Sequence, residues 1–143
     1  METRTIKKYK GKSIAWLHRM ATLQFNKYIR LRDAGKSCVS CDSPTFSDAG
    51  HYYSAGHYPP LRYNENNVHG QCKQCNYFKH GNLIEYRKRI TERIPQKELD
   101  RLDFAVKVYK RTGYKWDRFY LIEVIQKYQD KCKHLELLNN PPF

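Results

Sequence analysis

Residues 67–79 read NVHGQCKQCNYFK and contain two cysteines, Cys72 and Cys75, separated by two residues. A second pair with the same spacing, Cys38 and Cys41, lies upstream, with 30 residues between the pairs. Two intervening residues let both thiolates of a tight turn face one ion, and two such pairs complete the tetrahedral sulfur shell of a structural Zn²⁺. The sequence therefore predicts a zinc site that closes the intervening segment into a loop.

A disulfide framework explains the same cysteines less well. The chain has 5 cysteines, an odd number, and its first residues, METRTIKKYKGKS, are charged with no apolar stretch behind them. Both features favour a reducing compartment, and no run approaches the roughly 18 apolar residues of a membrane span. We expect a cytoplasmic protein. A redox role for the cysteine pairs remains open, and Cys132 is expected to be a buried free thiol.

The composition describes a cationic chain long enough to fold. Its 143 residues carry 27 Lys and Arg against 14 Asp and Glu, a formal net charge of +13, and 40% of them are hydrophobic. This apolar content is not that of a disordered basic tail. The charge favours a polyanionic partner such as nucleic acid, because neutralising phosphates releases condensed counterions. Charge alone leaves open a basic protein whose charges only face water.

Apolar spacing predicts long helices near both ends of the chain. Apolar side chains recur every three or four positions over residues 13–34, before Gly35, and again over residues 117–138. In the first of these segments, the expected buried stripe is Ile14, Leu17, Ala21, Phe25 and Tyr28. The segment between the cysteine pairs is rich in turn residues and predicts two short strands, 50–53 and 67–71, in a hairpin. The final helix either packs on the core or pairs with another chain.

Two further helices are predicted after the second cysteine pair. Asn82, with Glu85 three residues later, resembles a capping box that opens the first of them. Pro95 suits the first turn of the next, which we expect to end at Thr112 and Gly113. The predicted fold class is α+β, with a small zinc-held ββα core and flanking helices. We expect a single domain with an N-terminal helix in residues 1–36, the core in 37–94 and a C-terminal helical extension in 95–143.

Four polar side chains within or just beyond the clasped segment could perform chemistry: Asp48, His51, Asn67 and Asn76. One-metal hydrolysis of a phosphodiester needs oxygen ligands for a hard ion such as Mg²⁺ and a base for the attacking water. His51 is the natural base, since a neutral imidazole accepts a proton near pH 7. Asn76 would begin a helix held by zinc, which makes it a candidate ligand. A surface role for His51 and a turn role for Asp48 remain open.

These residues form a pattern that resembles the HNH, or ββα-metal, nuclease motif. Asn67 stands five residues before Cys72, as the motif's middle residue does, and Lys79 matches its lysine. Asn76 takes the place of the final histidine, as in the endonuclease VII-like variant of the motif. The resemblance implies that the predicted core is an HNH core and that His51 is its general base.

The chain resembles the phage lambda NinG (Rap) recombination protein family more closely still, over roughly residues 14–137. The resemblance is spread over many short blocks rather than one motif. These blocks are Asp48–Tyr52, Leu61–Glu65, Asn67–His69, Gln71-Cys72, Cys75-Asn76, Lys79, Gly81–Leu83 and Tyr86-Arg87.

This resemblance implies a structure-selective endonuclease that cuts branched DNA, such as Holliday junctions and D-loops, during phage recombination in the host cytoplasm. By position, Asn76 and Asp48 would hold a catalytic Mg²⁺ or Mn²⁺, and Asn67 would orient the hairpin by bonding backbone across it. An acidic residue often directly precedes the catalytic histidine in HNH enzymes, whereas Gly50 does so here.

Basic side chains near the motif are candidate contacts to the DNA backbone. Two protein partners are also left open: a second copy of the chain, paired through the terminal helix, and a phage or host recombinase. Two rival functions remain, a zinc-stabilised accessory protein that binds branched DNA without cutting it and an RNA-binding zinc protein. The candidate DNA contacts are Arg62, Lys73, Lys79, Arg87 and Lys88.

Overall fold

The computed structural model describes residues 2–141 and has an α+β fold, mostly helical with one small sheet, which confirms the predicted class. Short 3₁₀ turns at Pro59–Leu61, Glu65–Asn67 and Ile90–Glu92 and a π-helical turn at Gln74–Phe78 connect the main elements. The helices are α1 (Thr3–Lys8), α2 (Ile14–Arg32), α3 (Leu83–Arg89), α4 (Gln96–Val108) and α5 (Arg118–Asn139), and the strands are β1 (Asp48–His51) and β2 (Val68–Gln71).

The described chain divides into two compact units. One unit joins the segment up to Arg32 with the segment from Lys115 onward, and the other is Asp33–Tyr114. The first and last helices of the sequence therefore belong together, whereas α4 belongs with the hairpin. None of the described helices is both long and apolar enough to cross a lipid bilayer.

The helical unit is built on α2 and α5, whose buried faces pack against each other. Phe25 meets Tyr128 edge-on with 4.9 Å between ring centroids, and Lys27 pairs with Glu136 at 2.7 Å. Arg118 at the start of α5 bonds backbone carbonyls just before α2, so the two helices run in the same direction. Cys132 is buried in this face, as expected.

The predicted α2 stripe is correct in its centre and shifted at its ends. Leu17, Ala21 and Phe25 are fully buried, and Ile29 completes the row. Residues four positions apart share one helix face, and this row excludes the expected Ile14, which is 39% exposed.

The second unit places the sheet beside a compact apolar cluster. β1 and β2 pair antiparallel, with Asp48 opposite Gln71 and His51 opposite Val68. The hairpin was predicted correctly, but β1 begins two residues before the predicted 50–53 and ends before the tyrosines that follow His51. The apolar cluster comprises Val39, Leu61, Tyr86, Ile90, Ile94, Leu99 and Leu102.

The helices after the sheet are shorter than predicted. α3 ends at Arg89 and passes into a 3₁₀ turn, and α4 ends at Val108, before the expected stop at Thr112. Pro95 lies just before α4 as its N-cap rather than in its first turn. Asn82 has a left-handed backbone, with φ of 44°, and makes no side-chain cap bond, so the expected capping box does not form.

Candidate functional site

Four cysteines converge between the first turn of the Asp33–Tyr114 unit and the end of the sheet. The Sγ atoms of Cys38, Cys41, Cys72 and Cys75 all lie within 4.8 Å of one another. Cys41 and Cys72 are 3.7 Å apart, and sulfurs on a tetrahedral Zn²⁺ at about 2.3 Å would be separated by about 3.8 Å. The cluster can therefore hold a metal such as zinc, which agrees with the sequence prediction.

Backbone N–H groups donate hydrogen bonds to sulfur atoms of this cluster. Burial opposes ionisation of Cys38, but backbone N–H donors, led by that of Cys72 at 3.3 Å, lower its pKa to about 7. Burial, together with neighbouring sulfurs, raises the pKa of Cys72 and of Cys75. Without a cation, Cys72 and Cys75 therefore keep their protons at neutral pH, and a bound divalent ion would displace these protons and stabilise the thiolates.

The cysteine cluster is tied directly to β2. The Val39 N–H donates to the Gly70 carbonyl at 3.0 Å, and the Gly70 N–H donates to the buried carboxylate of Asp33 at 2.8 Å. The first cysteine turn thus lies alongside the strand that leads into the second. Sequence reasoning missed Asp33, because its position directly after a long helix does not indicate a buried carboxylate.

His51 lies at the end of β1 with one ring nitrogen already engaged. Its Nε2 is 2.9 Å from the backbone carbonyl of Arg62. A carbonyl only accepts, so Nε2 carries the hydrogen and the neutral ring presents an unprotonated Nδ1. Burial lowers the pKa of His51, which keeps the imidazole neutral at pH 7. The structure thus gives His51 the protonation state that a general base requires.

Asn67 fastens the loop that follows His51. Its Oδ1 accepts the Tyr53 N–H at 2.8 Å, and its Nδ2 donates to the carbonyls of Tyr53 and Leu61 at 2.9 and 3.1 Å. The side chain is fully buried. It therefore bonds backbone across the base of the loop and holds the 3₁₀ turn from which the Arg62 carbonyl reaches His51.

Asp48 and Asn76 meet at the other end of β1. The Asn76 Nδ2 donates to Asp48 Oδ2 at 2.9 Å, and the Lys73 ammonium reaches the same oxygen at 3.2 Å. Burial opposes ionisation of Asp48, but these bonds and one from Ser47 outweigh it and lower its pKa. The carboxylate is therefore ionised at neutral pH and faces the turn that carries Cys75 and Asn76.

The four candidate residues form two neighbouring groups rather than one bonded cluster. Side chains alternate along a strand, so Asp48 and His51, three positions apart, leave opposite faces of β1. Within residues 2–141, no hydrogen bond joins His51 to Asp48 or Asn76. The structure thus brings Asp48 together with Asn76, and His51 together with the loop held by Asn67.

Tyr86 on α3 fixes the backbone between these groups. Its hydroxyl donates to the Gly50 carbonyl at 2.8 Å and lies 3.2 Å from His69 Nδ1. Both Tyr86 and His69 are buried. Sequence reasoning placed His69 in the second predicted strand and named Tyr86 only within the family resemblance, so it missed this tether to the residue before His51.

Gln71 explains why glycine precedes His51. Its Nε2 donates to Ser40 Oγ at 2.8 Å and to the Gly81 carbonyl at 2.6 Å, which joins the two cysteine turns. Its Oε1 would lie 2.0 Å from a Cβ at position 50 and has no hydrogen-bond partner among the described residues. The space that an acidic side chain would need at position 50 is already filled.

The candidate DNA contacts differ in how their charges are engaged. Arg87 forms a bidentate pair with Asp103 at 2.7 and 2.8 Å, and Lys88 pairs with Glu85 at 3.1 Å. Lys79 is exposed beside the Asn76 turn. Arg62 contributes its backbone carbonyl to His51, and Lys73 contacts Asp48.

Comparison with known proteins identifies the family. The profile described as "Bacteriophage Lambda NinG protein" matches residues 2–137. The "Protein ninG" sequences of Escherichia phage lambda and Salmonella phage P22 are 35% and 36% identical over 122 residues, 84% of this chain and 57% of each relative. The chain thus spans little more than half of their length, and no solved structure matches it. This chain belongs to the NinG family of bacteriophage lambda.

Proposed function

We propose that this chain is a metal-dependent, structure-selective DNA endonuclease that cuts branched recombination intermediates, such as Holliday junctions and D-loops. The observation that carries the proposal is that the strand bearing His51 also bears Asp48, whose carboxylate contacts Asn76 at the cysteine-held turn. A candidate base and two candidate oxygen ligands thus belong to one small structural unit. Membership in a bacteriophage family supports action inside the cytoplasm of a bacterial host, and recombination is the setting that the sequence resemblance implies.

The superfamily part of the proposal is that the hairpin and α3 form an HNH, or ββα-metal, core. Support comes from the order of the parts: His51 on the first strand, Asn67 before the second, and Asn76 between the second strand and the helix. The side-chain bonds of Asn67 across the loop are the orienting role that the motif resemblance implies.

The proposed reaction uses His51 as its general base. Its Nδ1 takes a proton from water as that water attacks phosphorus, and the bond from phosphorus to the leaving oxygen breaks. The Arg62 carbonyl holds Nε2–H throughout, so it selects the reactive tautomer and stabilises the imidazolium that forms. With Nδ1 accepting the proton and the Arg62 carbonyl bonding Nε2–H, the proton transfer requires no second titratable side chain on that face of β1.

The pair of Asp48 and Asn76 would hold the catalytic Mg²⁺ or Mn²⁺. Their bonded atoms are 2.9 Å apart, and adjacent oxygens on an octahedral Mg²⁺ at about 2.1 Å are separated by about 3.0 Å. Turning the Asn76 amide by half a rotation would present its oxygen instead of its nitrogen. The bound ion would supply charge neutralisation at the scissile phosphate and the leaving oxygen. Lys73 would then exchange Asp48 for a phosphate.

Contacts to the DNA backbone would be independent of sequence. We propose that Lys79, exposed beside the Asn76 turn, and Lys73, released from Asp48 when the metal binds, carry many of them. Arg62, Arg87 and Lys88 are further candidates. Phosphate contacts set position and orientation, and branch geometry would then set the choice of substrate.

A substrate panel tests this function. Zinc-loaded protein is incubated with four-way, three-way, flap and linear DNA of matched sequence, without a divalent ion and with Mg²⁺, Mn²⁺ or Ca²⁺. We expect cutting near the branch with Mg²⁺ or Mn²⁺ and little cutting of linear duplex. Tight, metal-independent junction binding without cutting in any ion would instead identify the non-catalytic accessory protein. Preference for duplex RNA at fixed salt would identify the RNA-binding alternative.

We also propose two protein partners, a second copy of this chain and a recombinase. A near two-fold substrate suits a homodimer, and a phage or host recombinase would recruit the nuclease. Light scattering of the protein alone and with one junction equivalent measures the number of protomers in each species. Two protomers per junction would support the homodimer, and one would exclude it as the cutting species.

A further inference from the structure

Two aromatic side chains stand exposed immediately after Asn76. Tyr77 is 67% exposed and Phe78 is 62% exposed. Their rings meet nearly at right angles, 89° between planes and 5.1 Å between centroids. Large aromatic rings normally supply core packing, so two adjacent rings in solvent beside a candidate site point to a bound partner.

The backbone beneath these rings is held firmly. They occupy the π-helical turn, in which the Lys79 N–H donates to the Gln74 carbonyl at 2.9 Å. Cys75 belongs to the cysteine cluster, and the Gly81 N–H donates to its carbonyl at 2.8 Å. A turn closed in this way presents the two rings in a fixed position, so little conformational entropy would be lost when they contact a ligand.

The sequence around the two rings is basic. Residues 66–84 contain no Asp or Glu. Lys73 precedes the rings in the sequence and Lys79 follows them, and both are exposed; the Lys73 ammonium lies 3.2 Å from Asp48 Oδ2. A partner that offers both flat apolar faces and negative charge matches this surface, whereas an acidic protein surface offers only the charge.

Nucleic-acid bases supply such faces, but only where they are unstacked. Inside an intact duplex, neighbouring base pairs cover both faces of each pair. At a branch point the stack is interrupted, so an aromatic ring can cover a terminal face at low cost. Stacking on aromatic rings is tolerant of sequence because every base has a π-face.

We infer that Tyr77 and Phe78 form a stacking platform for the bases exposed at a DNA branch point and so determine the preference for branched over linear substrates. This inference rests on the proposed endonuclease function and deepens it. The rings bind the interrupted stack, and the phosphate next to it lies at Asp48 and Asn76. Neither ring takes part in bond breaking, so both are specificity-determining residues.

The test compares the Tyr77→Ala/Phe78→Ala double variant with wild type and with Ile84→Ala. Ile84 is 75% exposed on α3 and is not aromatic, which makes it a matched control for lost apolar surface. Zinc content and circular dichroism establish that each variant is folded. Dissociation constants are measured at several salt concentrations for a four-way junction and a linear duplex, and 2-aminopurine at the branch reports stacking.

We expect the double variant to bind the junction at least about tenfold more weakly, with duplex affinity and salt dependence unchanged. Wild type should quench 2-aminopurine at the branch, Ile84→Ala should do the same, and the double variant should not. Unchanged junction affinity in a double variant that still cuts DNA overturns the inference and leaves the proposed function intact. Loss of a protein dimer with junction binding preserved also overturns it, since the rings would then be a protein interface. A wild type that neither binds nor cuts DNA overturns the proposed function itself.

Discussion

At the scale of single residues, the position before His51 shows how one missing side chain shapes a site. Gln71 bonds both cysteine turns through its amide nitrogen, and its oxygen fills the space beside Gly50. The acidic ligand that often occupies this position in HNH enzymes therefore has no room. In the proposed site, Asp48, two residues earlier on the same strand face, would provide the carboxylate instead.

A Gly50→Ala substitution is predicted to destabilise the fold. The new Cβ would lie 2.0 Å from Gln71 Oε1, so the Gln71 bonds must shift, at a cost of about 1–3 kcal/mol in the free energy of unfolding. Urea denaturation measures the change. Gly56→Ala is the control, because nothing lies within 4 Å of its Cβ. Equal stability of the two variants would contradict the assigned role of Gln71.

The protonation of His51 predicts the pH dependence of cutting. The neutral imidazole is the active form, and burial lowers its pKa below the usual value of about 6.5. The rate should therefore stay level from pH 8 to below pH 6.5 and fall only as the pH drops through the lowered pKa. Single-turnover rates on a prebound junction report this profile. A fall beginning above pH 6.5 would contradict a buried base.

Sequence reasoning singled out candidate residues for the chemistry but not the residues that hold those candidates in place. His51, Asn67 and Asn76 could be singled out because their types and spacing match a known motif. Gln71 and Asp33 could not, because their roles are hydrogen bonds across 10 or more positions to backbone groups. A buried polar residue in a single sequence looks no different from an exposed one.

At the scale of secondary structure, the link between α3 and the sheet positions the site. The Tyr86 hydroxyl reaches the Gly50 carbonyl from one side, and the Val39 amide reaches Gly70 from the other. A sheet of two short strands is marginal in isolation, so these bonds from outside the sheet contribute to its order.

Tyr86→Phe is predicted to loosen this link. Removing the hydroxyl leaves the buried Gly50 carbonyl and His69 without that partner, which costs about 1–2 kcal/mol. Thermal unfolding measures the loss, and Tyr77→Phe, at an exposed ring, should change stability by less than about 0.5 kcal/mol. Unchanged thermal stability in Tyr86→Phe would show that other groups hold the Gly50 carbonyl.

Long elements were predicted better than short ones. The periodic apolar residues of α2 and α5 placed both helices within about two residues of their observed ends. The turn at Gln74–Phe78 was predicted as the start of a helix and is instead a π-helical turn followed by left-handed His80 and Asn82. Closure of the cysteine cluster controls that backbone, and local propensity carries no signal for it.

At the scale of the whole molecule, the cysteine cluster belongs to only one of the two units. All four of its cysteines lie in Asp33–Tyr114. The other unit is stabilised by the packed faces of α2 and α5. Its cysteine, Cys132, is buried in these faces and forms no disulfide. Sequence reasoning described these parts in chain order, because a single sequence holds no direct record of which distant helices pack together.

Metal removal is predicted to affect the two units unequally. Structural Zn²⁺ contributes apparent binding energies of about 10–16 kcal/mol at pH 7, comparable to the total stability of a domain. Chelation should therefore abolish amide hydrogen-exchange protection in β1, β2 and α3, while the centres of α2 and α5 keep theirs. Cys132→Ser is the control and should retain both metal and protection. Full protection of the sheet after chelation would contradict a structural metal site.

The central claim of the proposed function is that His51 and the pair of Asp48 and Asn76 act on one phosphodiester, although Asp48 and His51 leave opposite faces of β1. Single-turnover cutting of a prebound four-way junction in Mg²⁺ tests it most directly, with zinc content verified for each protein. We predict that His51→Ala and Asn76→Ala bind the junction as wild type does but cut it at least about 100-fold more slowly. His57→Ala, an exposed histidine in the same loop, should cut at the wild-type rate. Wild-type cutting by either site variant would contradict the claim.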